Sequence, residues 1–366
     1  MIILKRWFLV VACMLMLNSM HTVAAEAKRH ITVESSEQLY AAIHEANRVG
    51  GNTTIQLRRG LYAIHRPIVV TAPGITLQSE SLNAKDVVLR GPGMKQTGQV
   101  FSLLRVNAPH FSFIGLTAEQ APNHIIQVAG ENNADYFHLS RSVLRDSYEQ
   151  LLKVSHRPGQ PEAADFGVVE YSTFAYSAGI GPQYYIGGID LHLGQHWHIR
   201  HNQFYGIASP AKRVAEHAIH LWYSSGHITV EDNIIVNSDR GIGFGMANKG
   251  NQGGVIKDNW IIHADNGHPY ADAGITLESS PDTIVSGNWV LQYHSYPNSI
   301  EYRFPATQRV EITNNTTNKR IRRRNGGGAT VTNNHNADKL TPLQVSTLIE
   351  RFPPEYRPAV RAAIAQ

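Results

Sequence analysis

Residues 188–204 read GIDLHLGQHWHIRHNQF. A small residue, an isoleucine, a variable position, a large apolar residue and another variable position are followed by a turn. A second strand-like stretch then ends near an asparagine. The first half of this pattern returns as AIHLW (218–222), GIGFG (241–245), GITLE (274–278) and SIEYR (299–303). The successive isoleucines, Ile189, Ile219, Ile242, Ile275 and Ile300, lie 30, 23, 33 and 25 residues apart. The second half returns as TVEDNII, VIKDNWI, IVSGNWV and EITNNTT, which aligns Asn202, Asn233, Asn259, Asn288 and Asn315, with Asn334 continuing the series. Weaker copies stand upstream at FSLL (101–104), IQVA (126–129) and LKVS (152–155).

Short alternating strands at this period, with no helices between them, predict a solenoid. One rung cannot bury its apolar face alone, so rungs stack and bond to those above and below. An asparagine repeated at the same bend lets each amide bond the next and form an internal ladder. The small residue before each isoleucine suits a tight corner. Over roughly residues 50–337 the chain resembles the right-handed parallel β-helix of the pectate-lyase-like superfamily. That resemblance implies an all-β fold and a polysaccharide as substrate class, and it transfers no catalytic residue. The chain lacks the paired aspartates of polygalacturonase-like β-helices and the DPHD stretch of mannuronan epimerases. It also lacks the lysine- and arginine-centred motifs of chondroitinase-B-like alginate lyases.

The ends fit one domain over residues 26–366. Ser35-Ser36-Glu37-Gln38 offers a helix N-cap, with Leu39, Ile43 and Ala46 on one face and Gly50-Gly51 beyond. A capping helix is expected over 35–51, rungs over 52–337, and a helical segment over 338–366 folding across the other end. Residues 1–25 read as a secretory signal: Lys5 and Arg6, an apolar run from Trp7 to Leu17, then Val23-Ala24-Ala25. The expected protein is therefore periplasmic or secreted from a bacterium, with processing near Ala25. Cys13, the only cysteine, falls inside the signal, so no disulfide is expected. Nothing later is apolar enough to span a membrane. The formal charge of +4 falls to +2 without Lys5 and Arg6, too mild to imply nucleic acid. The local run 319–324 (KRIRRR) reads as a solvated turn in preference to an anion patch. A monomer is expected.

Alternate strand residues face opposite ways. With the isoleucine and the large apolar residue inward, two outward columns result. The first runs Ser102, Gln127, Lys153, Asp190, His220, Gly243, Thr276, Glu301; the second runs Leu104, Ala129, Ser155, His192, Trp222, Gly245, Glu278, Arg303. Lys153, Asp190 and His220 then stand on consecutive rungs about 4.8 Å apart. His192 lies beside Asp190 with Trp222 above it, and His217 and Arg240 occupy matching corners, Glu216 adjoining His217. Glu278, Glu301 and Arg303 make a second cluster, and Gly243 and Gly245 between the clusters suggest an open floor. Tyr184, Tyr185, Tyr293, His294 and Tyr296 are expected to form walls. His196, His198 and His201 point elsewhere, and Trp260 and Trp289 read as a packing pair under a long loop.

Convergent titratable groups on one face mark a site, and three chemistries compete for it. In β-elimination from an acidic, uronate-containing polysaccharide, Lys153, Arg240, Arg303 or a bound cation neutralises the carboxylate. His220 or His192 is the base, and Asp190 orients the imidazole. Lys153 is the first choice for the neutralising cation. His217, Trp222, Glu278, Glu301 and Arg303 would bind the chain, the indole stacking on sugar. Glycoside hydrolysis needs two carboxyls about 5–5.5 Å apart for retention or about 6.5–9.5 Å for inversion, a test that Glu278 and Glu301 on adjacent rungs could meet. Asp190 and Glu301 lie four rungs, about 19 Å, apart and do not. Asp190, His192 and His220 also offer a donor set for zinc, manganese or iron, so a divalent metal is the one cofactor considered. A non-catalytic carbohydrate-binding or periplasmic accessory protein is the remaining alternative.

Overall fold

The computed structural model describes residues 28–95, 101–210 and 213–365. The expected signal segment lies outside the described residues. Among the described residues the strands form three parallel sheets of twelve, ten and eleven strands, each complete coil of chain giving one strand to each sheet. The fold is thus an all-β parallel β-helix of about ten turns. The GIDLH-type segments all fall in the ten-stranded sheet, from Ile68–Val70 to Arg320–Arg324. Its inward isoleucines, Ile189, Ile219, Ile242, Ile275 and Ile300, are fully buried in one continuous core.

The register of that sheet places Lys153, Asp190, His220, Gly243, Thr276 and Glu301 side by side, as the columns require. It departs from them at both ends. Upstream, Arg105, not Ser102, pairs with Gln127, because Leu104 and Val106 supply the alternating inward pair. Downstream, Ile321 pairs with Ile300, so Arg320–Arg324 is a further strand at the sheet's edge, not a turn. The arginines around Ile321 hid its equivalence to the other isoleucines.

The asparagine ladder is continuous. In each of Asn202, Asn233, Asn259, Asn288 and Asn315 the amide donates to the next Oδ1 at 2.9–3.0 Å, ending on Asn334. The same Oδ1 atoms accept the preceding backbone N–H. Ser172 and Ser142 carry the column two rungs upstream, Ser172 Oγ accepting the Ser142 N–H at 3.1 Å.

Helix α1 (Ser36–Arg48) is N-capped by Ser35 and packs Leu39, Ile43 and Ala46 into the main core beside the first strands. The C-terminal segment forms α2 (Pro342–Glu350) and α3 (Arg357–Ile364). These do not cross the end of the solenoid. They lie along its flank, where Leu348, Ile349, Val360 and Ile364 cover Ile234, Val236, Ile262 and Leu291 of the eleven-stranded sheet. Outward apolar residues there need cover, whereas the terminal strand is already rich in arginine. Trp260 and Trp289 stack at 4.9 Å and pack against this same cluster, so they lie under the C-terminal helices and not a loop.

Candidate functional site

Lys153, Asp190, His192, His220 and Trp222 converge through strand register alone. Asp190 Oδ2 accepts Lys153 Nζ at 2.5 Å and its Oδ1 accepts the Trp222 indole N–H at 2.7 Å. His192 Nε2 lies 2.8 Å from the same ammonium and 3.4 Å from Asp190 Oδ1. His220 Nδ1 stands 4.0 Å from that oxygen. Burial alone would raise the Asp190 pKa, but Lys153, His192 and His220 together hold it well below the usual carboxylate range. Burial lowers His192 to about 4 against the raising pull of Asp190, so its ring is neutral near pH 7. The Lys153 ammonium already sits where a metal bridging Asp190 and His192 would have to sit.

These outward-facing groups are not an open groove floor. Side-chain exposure is 10% for Lys153, 3% for Asp190, 12% for His192 and 1% for His220. His217 is buried, and its ring fills the space over Gly243: a Cβ built there would lie 2.5 Å from His217 Nε2. Gly245 faces neighbouring backbone instead, its φ of +77° and a Cβ 1.8 Å from Glu278 O both demanding glycine.

The second cluster is centred on Arg303. Its guanidinium bonds Glu301 Oε2 at 2.5 Å, Glu278 Oε1 at 2.7 Å and Asp272 Oδ1 at 2.9 Å. Arg324 also reaches Glu301, which is fully buried. Arg303 thus ties together the two carboxylates that hydrolysis would use, and geometry gives that chemistry no support. Arg240 lies 3.5 Å from Asp272 and 3.7 Å from Glu216. Of the wall residues, Tyr296 donates to Glu301, and Tyr185 is pushed up to about 12, chiefly by burial.

The accessible rim involves residues the columns did not select. His156 Nδ1 is 3.0 Å from His192 Nδ1, and its ring lies 4.3 Å from that of Tyr223. Lys249 is exposed, bonds the Tyr223 hydroxyl, and stands 4.0 Å from the Tyr223 ring and 5.5 Å from Trp222. His156 and Tyr223 each follow a column residue by one position, a signal that could have found them. Lys249 lies in a turn outside every repeat. His196, His198 and His201 lie off this face: His196 stacks between Phe166 and His227, His198 is exposed, and His201 pairs with Asp232 at 2.5 Å.

A family model described as periplasmic copper-binding protein (NosD) matches residues 183–341. No curated protein matches the chain in sequence. Among solved structures, an alginate lyase from Paenibacillus sp. str. FPU-7 is 16% identical with a TM-score of 0.59, over 83% of this chain and 100% of that one. A mannuronan C-5 epimerase A-module from Azotobacter vinelandii is 14% identical with a TM-score of 0.45, over 82% and 95%. A surface adhesin of Streptococcus pneumoniae is 13% identical with a TM-score of 0.47, over 82% and 87%. At 16% identity the likeness to the alginate lyase is one of architecture, and together with the three parallel sheets it establishes that this chain has the parallel β-helix fold.

Proposed function

We propose that the protein is an exported lyase of acidic polysaccharides, working on the rim formed by His156, His192, Trp222, Tyr223 and Lys249. The observation that carries this reading is which of the face's cations are already paired. Lys153, Arg240 and Arg303 are each engaged by carboxylates of the protein. Exposed Lys249 has no carboxylate within ion-pair distance among the described residues, and it borders two aromatic rings. A cation beside an indole and a phenol suits a sugar ring that carries a carboxylate. Arg320, Arg322 and Arg323, also without carboxylate partners among the described residues, extend positive charge to the C-terminal edge of the same sheet.

In the proposed step, Lys249 neutralises the uronate carboxylate, which acidifies the C5 proton. That proton passes to the neutral His156 imidazole, whose pKa burial lowers. The C5–H electron pair forms the C4–C5 double bond, the C4–O4 bond breaks, and the leaving oxygen takes a proton from the Tyr223 hydroxyl. Across the 3.0 Å Nδ1–Nδ1 contact neutral His192 orients the His156 ring, with Asp190 behind it. His220 is too buried to touch substrate and acts, in this reading, from behind Asp190.

The test is incubation with alginate, pectate and glycosaminoglycans while following ultraviolet absorbance of the unsaturated uronate. Activity that falls about 10²-fold or more in His156→Ala, and persists in His198→Ala, supports the assignment. Activity unchanged in His156→Ala overturns it. A non-catalytic periplasmic accessory role is the second reading, favoured by the family match over residues 183–341. Glycan binding with neither absorbance nor new reducing ends would select that reading.

A further inference from the structure

We infer that Glu216, His217 and His220 form a binding site for one divalent first-row transition cation of the zinc type. The inference is independent of whether the rim cleaves a glycan. One ligand atom from each residue lies within 4.8 Å of the others. That span closes onto a shared ion at about 2.0–2.2 Å with small side-chain adjustments.

Hydrogen bonding at this corner supports the site in three ways. His217 directs Nε2 to Thr276 Oγ1 at 3.1 Å, and its other nitrogen, Nδ1, is buried without a hydrogen-bond partner. His220 directs Nε2 to the Gly245 carbonyl at 3.3 Å, while its Nδ1 faces Glu216 Oε2 at 3.7 Å and Asp190 Oδ1 at 4.0 Å. Glu216 Oε2 is itself buried without a hydrogen-bond donor. A histidine that ligates a metal characteristically anchors its other ring nitrogen on a carbonyl or hydroxyl, as both rings do here. The His220 ring has acceptors at both nitrogens, and a neutral imidazole carries only one N–H. With that N–H on the carbonyl, a lone pair points at two carboxylates, an arrangement a bound cation between them would resolve. Arg240 Nη1 stands 3.7 Å from Glu216 Oε2, beyond a direct hydrogen bond, and divides its charge with Asp272.

The donor set of two imidazoles and one carboxylate matches zinc and its neighbours and is poor for calcium. It differs from the Asp190–His192–His220 set, whose centre Lys153 occupies.

The experiment uses chelator-treated, tag-free protein titrated with Co²⁺. The readouts are visible d–d absorption and calorimetric stoichiometry, with circular dichroism as a folding control. One equivalent in a tetrahedral-type spectrum is expected. Glu216→Gln should weaken binding at least a hundredfold. Thr276→Val, which removes only the hydroxyl behind His217, should weaken it about 10–100-fold. His192→Ala should leave it unchanged. Folded wild type that binds no Co²⁺, or Glu216→Gln that binds as wild type does, overturns the inference. So does binding lost in His192→Ala but kept in Glu216→Gln, which would place the ion in the neighbouring cluster. Glu216→Gln and Thr276→Val are near-isosteric, so the test stands even if a histidine variant fails to fold.

Discussion

At the scale of single residues, Lys153 and Lys249 show why residue type alone does not identify a working group. Both are lysines on one face, yet Lys153 is buried on Asp190 while Lys249 is exposed and touches only a phenol and ring faces. Removing one partner of a buried pair strands the other charge, at a cost of about 3–5 kcal/mol. Lys153→Ala should therefore lower the thermal midpoint by several degrees through the uncompensated Asp190. Lys249→Ala should leave the midpoint unchanged while weakening binding of acidic oligosaccharides roughly tenfold, the scale of one charge-assisted hydrogen bond. Calorimetry of unfolding and of oligosaccharide binding on the two variants separates these outcomes. A Lys249→Ala protein that binds as tightly as wild type would remove the basis of the glycan reading. Column arithmetic brought Asp190, His192, His220 and Trp222 together because strand register is periodic. It could not place Lys249, which comes from a turn between repeats, whereas Asp272 stands three residues before Ile275, as Glu216 stands before Ile219, just outside the five-residue pattern.

At the scale of elements, the asparagine column and the C-terminal helices illustrate two kinds of support. Each ladder amide from Asn202 to Asn315 is buried and satisfies backbone groups on neighbouring coils, so replacing one leaves several polar atoms without partners. An unsatisfied buried group costs about 1–3 kcal/mol. Asn259→Ala, at the middle of the column, should lose at least that much stability in urea denaturation. Asn334→Ala, at its half-exposed end, should lose markedly less. Equal losses would mean the ladder's neighbours do not matter. The ladder was legible because one residue type recurs at one bend. The position of α2 and α3 was not, because their amphipathic faces fit any apolar surface. The outward Ile234, Val236, Ile262 and Leu291 of the eleven-stranded sheet supply the apolar strip on which they rest. Arg351 fixes the dock by bonding Asp232 Oδ1 at 2.8 Å and the Asp232 carbonyl at 2.7 Å. Truncation after Lys339 should expose that strip together with Trp260 and Trp289, giving stronger dye binding and aggregation at unchanged strand content.

At the scale of the molecule, the solenoid buries side chains that face outward as well as those that face inward. The expectation of an open face failed on this point. Alternation tells which side of a strand a residue occupies. Whether that side is wet depends on loops and corner residues such as His217, whose ring covers Gly243. The result is a set of buried imidazoles, His124, His217, His220, His263 and His294, with His192 nearly so, and they set the pH response of the whole fold. Burial lowers His124 to about 3, His192 to about 4 and His294 to about 3, each from an ordinary value near 6.5. Between pH 6.5 and 4 these rings stay neutral in the native state but are protonated in the unfolded chain. The unfolded state then binds more protons, so stability rises with pH across that window and falls as acid is added. Each such imidazole contributes up to about 1.4 kcal/mol per pH unit. The buried Asp190 and Asp272, with depressed pKa values, add their own loss only below about pH 4. The thermal midpoint should therefore be nearly flat above pH 7 and fall steeply from pH 6.5 to 4. His294→Gln, which keeps a polar group without the titration, should flatten that slope even if it lowers the midpoint at pH 7. A midpoint that holds or rises on acidification to pH 5 would mean that the buried imidazoles are already charged in the fold. Their neutrality, on which proton uptake at the His156–His192 pair depends, would then be lost with it.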